Sequence, residues 1–219
     1  MTVDFQNLGI YSVNILYRIS DCLETTIFSS KNTDTNRVNN LSSMFYGCQV
    51  VELDVSWLNT DNVTDMSYMF SDCYELEKIN LSGLSTRNVK YMNGMFNACY
   101  ELEKIDLSGF DTRNIRSIKL MFNGCEKLKE LDLSNFDTHL VYDFKHMFRG
   151  CTCLEKLDIS SFILSKDILQ VRNNSLHFAT AGMFADCGNL KEITLPKEQS
   201  ARCYIMKQLN KDGIHCKMI

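Results

Sequence analysis

Ten cysteines stand among 219 residues, and six of them share one recurring context, Met-Phe-x-x-Cys. Phe45, Phe70, Phe96, Phe122, Phe148 and Phe184 each follow a methionine, and Cys48, Cys73, Cys99, Cys125, Cys151 and Cys187 stand three positions later. Thiols in such number suggest three chemistries. Zinc needs paired ligands at short spacing; the close pair here is Cys151-Thr-Cys153, and Cys151 already belongs to the recurring set. Disulfides between neighbouring units need permitted Cα spacing, yet a position repeated in every unit is better explained by packing, since Cys is small and readily buried. A nucleophilic thiol needs a nearby base and an exposed, electropositive setting. Cys153, Cys203 and Cys216 fall outside the recurring set and are the candidates for that role. The nearest histidines in sequence, His146 and His215, have no identifiable third group to orient them. Buried free thiols are therefore expected, with no metal site, no cofactor and no catalytic residue.

The elements that position these cysteines follow from the period. The Phe-to-Phe steps are 25, 26, 26, 26 and 36 residues, and a fixed period in this range marks stacked repeats that each bury an apolar side against the next. Between Cys99 and Cys125, Leu102, Ile105 and Leu107 read as a half-buried strand. Asp111-Thr-Arg-Asn114 suits a corner. Ile115, Ile118, Met121 and Phe122 fall three and four apart, as on one face of a short helix or 3₁₀ segment. Strands centred on Val55, Leu81, Leu107, Leu133, Ile159 and Leu195 are expected to stack as a parallel sheet on one side, roughly 4.8 Å apart, with short helices or 3₁₀ turns on the other. The fold class is an α/β solenoid.

Strand alternation puts three polar columns on one open face. Asp54, Asn80, Asp106, Asp132, Asp158 and Thr194 form the first, Ser56, Ser82, Ser108, Ser134 and Ser160 the second. Glu52, Lys78, Lys104, Glu130, Lys156 and Glu192 form the third. An acidic and hydroxyl-bearing face of this kind can receive a basic or hydrogen-bonding partner, and Asp54, Asn80, Lys104, Asp106, Asp132, Lys156 and Asp158 are its candidate contact residues. An open face supplies neither the cleft nor the raised pKa that paired carboxylates need for glycoside hydrolysis.

Three irregularities bound the repeat. Tyr11, Val13, Ile15, Tyr17 and Ile19 alternate with Ser12, Asn14, Leu16 and Arg18 and predict a strand, followed by a degenerate turn over Ile27 and Phe28 that returns through Val38 and Leu41. Glu198 to Lys211 has helical composition, Gly213 is a helix terminator, and residues 214–219 suit a last strand. Atypical ends of this kind cover an otherwise exposed apolar cross-section. The 36-residue turn carries ten extra residues within 163–180, and insertions in stacked repeats fall on loops of one face. Lys166, Gln170, Arg172 and His177 are its candidate contacts. One domain over 1–219 is expected: residues 1–34 as N-terminal cap and degenerate turn, 35–196 as repeats, 197–219 as a helix-strand cap.

The pattern L-x-x-L-D-L-S-x-F-D-T-x-x-V-x-x-M-x-x-M-F-x-x-C resembles the leucine-rich repeats of the BspA-like surface proteins. Copies run from Leu76 to Cys99, Leu102 to Cys125 and Leu128 to Cys151, with degenerate copies on both sides. The resemblance covers roughly residues 35 to 196. It implies a right-handed leucine-rich-repeat coil and a role in adhesion or protein binding at a cell surface, and it transfers no binding residue.

A formal net charge of −4 with scattered Lys and Arg is a poor footprint for nucleic acid or for an anionic membrane surface, and no stretch approaches the roughly 20 apolar residues of a membrane span. The first residues carry no basic segment followed by an apolar run, so no signal peptide is read. The free thiols favour a reducing compartment, whereas the resemblance favours the cell surface. No phosphate-binding glycine loop is present, and the N-x-S/T matches at Asn40, Asn62, Asn80 and Asn173 are too short a motif to carry weight. The expectation is a monomeric, non-enzymatic module that binds a protein or glycan through the strand face, the insertion, or both. The alternatives are a spacer segment of a longer repeat protein and, remotely, a thiol-dependent enzyme.

Overall fold

The computed structural model describes residues 38–164 and 179–219; the expected strand over Tyr11–Ile19 and the turn at Ile27 and Phe28 lie outside these residues. Short parallel strands recur along the chain: β1 (Glu52–Asp54), β2 (Lys78–Asn80), β3 (Glu130–Asp132), β4 (Lys156–Asp158), β5 (Glu192–Thr194) and β6 (Lys217–Met218). A helix, α1 (Gln199–Lys211), precedes β6. Register follows the repeat, with Leu53 opposite Ile79 in one sheet and Leu131, Leu157, Ile193 and Met218 opposite in turn in the other. The result is a solenoid-like stack of strand-and-turn units around one apolar core.

Two details of the sheet differ from expectation. The strands centre on Leu53, Ile79, Leu131, Leu157 and Ile193, two residues before the expected centres at Val55, Leu81, Leu133, Ile159 and Leu195. The chain turns off because a side-chain oxygen of the Asp or Asn closing the strand takes the N–H of the Ser two residues on, an Asx turn. In the second difference, residues 104–106 join neither β2 nor β3, so the ladder divides into a two-stranded and a four-stranded sheet. Lys104 would face Lys78 on one side and Glu130 on the other, so cross-strand charge does not account for a break on both sides.

The return segments are not the short helices or 3₁₀ pieces that the spacing of Ile115, Ile118, Met121 and Phe122 predicts. Two residues four apart adopt left-handed backbone in every unit: Tyr68 and Asp72, Gly94 and Ala98, Leu120 and Gly124, His146 and Gly150. A right-handed helix cannot contain them. Alternate N–H groups instead bond across to the next unit and back within their own. Phe70 N and Asp72 N donate to Met95 O at 2.9 Å and Asn97 O at 2.8 Å, while Ser71 N donates to Tyr68 O at 3.1 Å. The same arrangement recurs at Phe96, Phe122 and Phe148. Each segment is thus a ribbon of tight turns laddered to its neighbours, and the backbone of both long sides is satisfied between units.

Side-chain columns fill the interior. The rings of Phe45, Phe70, Phe96, Phe122, Phe148 and Phe184 stack in succession, with centroids 5.6, 5.5, 5.8, 6.1 and 5.7 Å apart. Thr60, Thr86, Thr112 and Thr138 are buried at the corners. Each hydroxyl donates to a carbonyl of the next unit, as Thr86 does to Asp111 O at 3.0 Å, and Thr86 Oγ1 also accepts Asp111 N at 2.8 Å. At the far end the helix and final strand fall where the sequence predicts them. Glu198 caps α1 by accepting from Ser200 N and Ala201 N. Ala201, Ile205 and Leu209 enter the core, and Gly213 at φ +73° leaves the helix in the left-handed region that favours glycine. Among the described residues no helix is long and apolar enough to cross a membrane.

Candidate partner-binding face

The strand face is built by alternation. In β1 and β3, Glu52 and Asp54, and Glu130 and Asp132, point outward while Leu53 and Leu131 point to the core. Lys78 and Asn80 are likewise exposed in β2, and Lys104 and Asp106 in the unpaired segment between the two sheets. Lys156 is exposed and Asp158 half-buried. All seven predicted face residues therefore lie on one side. A shallow depression of about 720 Å3 is floored by Ile105, Leu131 and Leu157 and rimmed by Lys104, Asp132, Lys156 and Asp158. Asp54, Asn80 and Asp106 stand outside its lining.

The Asp column is more constrained than its exposure suggests. Ser56 N, Ser108 N, Ser134 N and Ser160 N donate to Oδ1 of Asp54, Asp106, Asp132 and Asp158 at 2.8–2.9 Å. For Asp54 this backbone bond, joined by the Ser56 hydroxyl, holds the carboxyl below its ordinary value. For Asp106 and Asp132 the Ser108 and Ser134 hydroxyls lead, with the backbone bond adding to the same effect. Asp54, Asp106 and Asp132 are therefore anionic at neutral pH, and all four carboxylates are fixed in direction, with Oδ1 committed to the turn.

The neighbouring charged column is largely paired rung to rung. Lys78 Nζ lies 2.6 Å from Glu52, Lys156 Nζ 3.0 Å from Glu130, and Lys217 Nζ 3.1 Å from Glu192. Hydrogen bonds to these glutamates raise the Lys78 and Lys156 ammonium pKa values above the usual lysine range. Such exposed pairs add little to stability, but they fix charge in place. Lys104 has no ion-pair partner among the described residues, and it stands where the ladder is interrupted. The insertion residues Lys166, Gln170, Arg172 and His177 lie outside the described residues.

The recurring cysteines are buried free thiols. Cys73, Cys99, Cys125, Cys151 and Cys187 each donate to the carbonyl of the phenylalanine in the preceding unit, Cys99 to Phe70 O at 3.1 Å and Cys125 to Phe96 O at 3.2 Å. Burial pushes the thiol pKa up, to about 11 at Cys48 and about 12 at Cys99, which opposes the thiolate that metal binding or nucleophilic attack requires. Cys153 and Cys203 are exposed and Cys216 half-buried. Among the described residues none of these three hydrogen-bonds a histidine: His139 Nδ1 lies 2.7 Å from Asp137, and His146 Nδ1 lies 3.4 Å from Gly182 O. Among the described residues no group of three potential ligands is placed to hold a metal ion.

One surface feature escaped sequence reasoning. The rings of Tyr74 and Tyr100, in the column immediately after the buried cysteines, stack with centroids 5.2 Å apart and planes 9° from parallel. They remain 49% and 40% exposed. The signal was present in the repeated run Cys-Tyr-Glu-Leu-Glu at 73–77 and 99–103.

No curated protein matches the chain. A family model described as "Mycoplasma protein of unknown function, DUF285" matches it twice, over residues 17–106 and 101–213. The two matches overlap by a few residues and together span residues 17–213, most of the chain. The chain is a member of the DUF285 family.

Proposed function

We propose that the protein is a non-enzymatic binding module of the BspA-like leucine-rich-repeat type, which holds a protein partner on its strand face. The observation that carries this reading is the preorganised face. Four carboxylates are fixed in direction by the turn that follows them, and a shallow depression opens where the ladder is interrupted. Fixed, spaced charge lowers the ordering cost of association and steers an oppositely charged surface. A glycan would use the same carboxylates as acceptors for its hydroxyls, and the 163–180 insertion is a second contact region in the proposal. Adhesion at a cell surface is the role that the family resemblance favours.

The test follows from the Asx turns. Alanine at the Asp column would remove the acceptor that closes each turn as well as the charge, so asparagine is the informative change. An Asp106→Asn, Asp132→Asn, Asp158→Asn variant keeps Oδ1 and loses three charges. Its urea midpoint should stay within about 0.3 M of wild type, while proteins captured by wild type from a host-cell surface extract should be lost. Capture of the same set by the variant removes this face from the proposal.

A further inference from the structure

Beyond the strand face, we infer that the stacked Tyr74–Tyr100 pair is a docking platform for arginine side chains of a basic polypeptide segment. The two rings are held in parallel at 5.2 Å by the register of consecutive units. Their position is fixed by the scaffold: Tyr100 follows buried Cys99, and its ring lies over Gly124, where an added Cβ would approach it to 3.4 Å. A parallel pair of exposed rings extends naturally by one more planar group. The column position above Tyr74 is Gln49 and the one below Tyr100 is Glu126, so the column itself supplies no third ring.

Charge selects the occupant. Asp72, Glu75 and Glu77 flank Tyr74 in sequence, and Glu101 and Glu103 follow Tyr100. Asp72 accepts the Tyr46 hydroxyl and the Asn97 amide, and its field raises the Tyr74 phenol pKa. Against these acids stand Lys78, paired with Glu52, and Lys127, paired with Glu101, with Lys104 beyond them on the strand face. Acids exceed lysines at this corner, and Glu77 and Glu103 also act on Lys127 through space. Only a planar cation can both lie on an aromatic face and present a fork of N–H donors to a carboxylate beside it. A lysine ammonium meets the charge without the stacking, and a sugar ring meets the stacking without the charge.

The probe is a fluorescein-labelled peptide of alternating arginine and glycine, read by fluorescence polarisation at about 50 mM salt with the full chain. Its citrulline counterpart, which keeps the planar group and loses the charge, should bind at least tenfold more weakly. Tyr74→Ala with Tyr100→Ala should weaken the arginine peptide by about tenfold, from two lost ring contacts, while Tyr74→Phe with Tyr100→Phe retains binding. The phenylalanine pair should melt close to wild type by circular dichroism, while the alanine pair, which loses a stacked and half-exposed ring pair, should melt somewhat lower yet remain folded at the assay temperature. In the strand-face triple asparagine background, where the carboxylate column no longer attracts the peptide, the alanine pair should still weaken binding by about tenfold, which separates this platform from the face described above. Equal binding of the arginine and citrulline peptides, or binding unaffected by the alanine pair, overturns the inference. So does a neutral oligosaccharide that binds wild type but not the alanine pair while the arginine peptide binds neither, since the platform would then be a sugar surface.

Discussion

Raising the pH should unfold this protein through its buried thiols, and Cys99 allows the effect to be isolated. Its side chain is wholly buried and donates to Phe70 O at 3.1 Å. Burial raises its pKa from 9.0 to about 12. Below pH 9 the thiol is neutral in both states and contributes no pH dependence. Between 9 and 12 the unfolded chain releases the proton and the folded chain keeps it, so stability falls as pH rises, by about 1.4 kcal/mol per unit. At pH 10.5 the loss from this thiol is about 2 kcal/mol. Cys99→Ser keeps a hydroxyl that can donate to Phe70 O and has nothing to ionise in this range. Tyrosines and lysines titrate alike in both proteins and cancel in the difference. With a urea slope of roughly 2–3 kcal/mol per molar for a chain of this size, the wild-type midpoint should lose about 0.7–1 M relative to Cys99→Ser between pH 8 and 10.5. A difference that stays constant within about 0.3 kcal/mol over that span refutes the argument. So would a relative loss already complete by pH 8, because a thiol with an unfolded pKa of 9.0 is still mostly protonated there.

Two further tests address the interior columns. Phe122→Ala removes a ring stacked 5.8 Å from Phe96 and 6.1 Å from Phe148 and should cost about 3–5 kcal/mol in equilibrium denaturation; a Phe96–Phe122 double-mutant cycle should show coupling of about 0.5–1.5 kcal/mol. Thr86→Val deletes both the bond to Asp111 O at 3.0 Å and the acceptor of Asp111 N at 2.8 Å. It should cost about 1–3 kcal/mol, with Thr86→Ser close to wild type in the same urea titration.

The period of the sequence was enough to set the register. Phe45 and its five successors fall where their rings can stack, and the same spacing puts Leu53 opposite Ile79 and Leu131 opposite Leu157. The return segments were not legible from apolar spacing, because Met66, Met69, Phe70 and Cys73 satisfy a helical period and a laddered turn ribbon equally well. Backbone handedness distinguishes the two, and it does leave a trace: Gly47, Gly94, Gly124, Gly150 and Gly182 all have positive φ and recur at the two left-handed positions. Recurrent glycine inside an apparent helix argues against the helix. The interruption at residues 104–106 is not marked in the sequence, since Lys104-Ile-Asp106 repeats the strand pattern of its neighbours.

The same distinction governs where binding specificity can reside. A residue repeated in every unit is under the demands of stacking, and the structure assigns such residues scaffold tasks. The cysteines bond the preceding carbonyl, the threonines the next unit, and even the exposed Asp column closes its own turns through Oδ1. A partner that read these repeated features alone would meet the same surface at several registers and could not be placed uniquely. Unique placement requires features that break the period: the interrupted ladder beside Lys104, and a tyrosine stack confined to two consecutive units. The repeated carboxylates then supply attraction, and the irregular positions determine where along the stack a partner comes to rest.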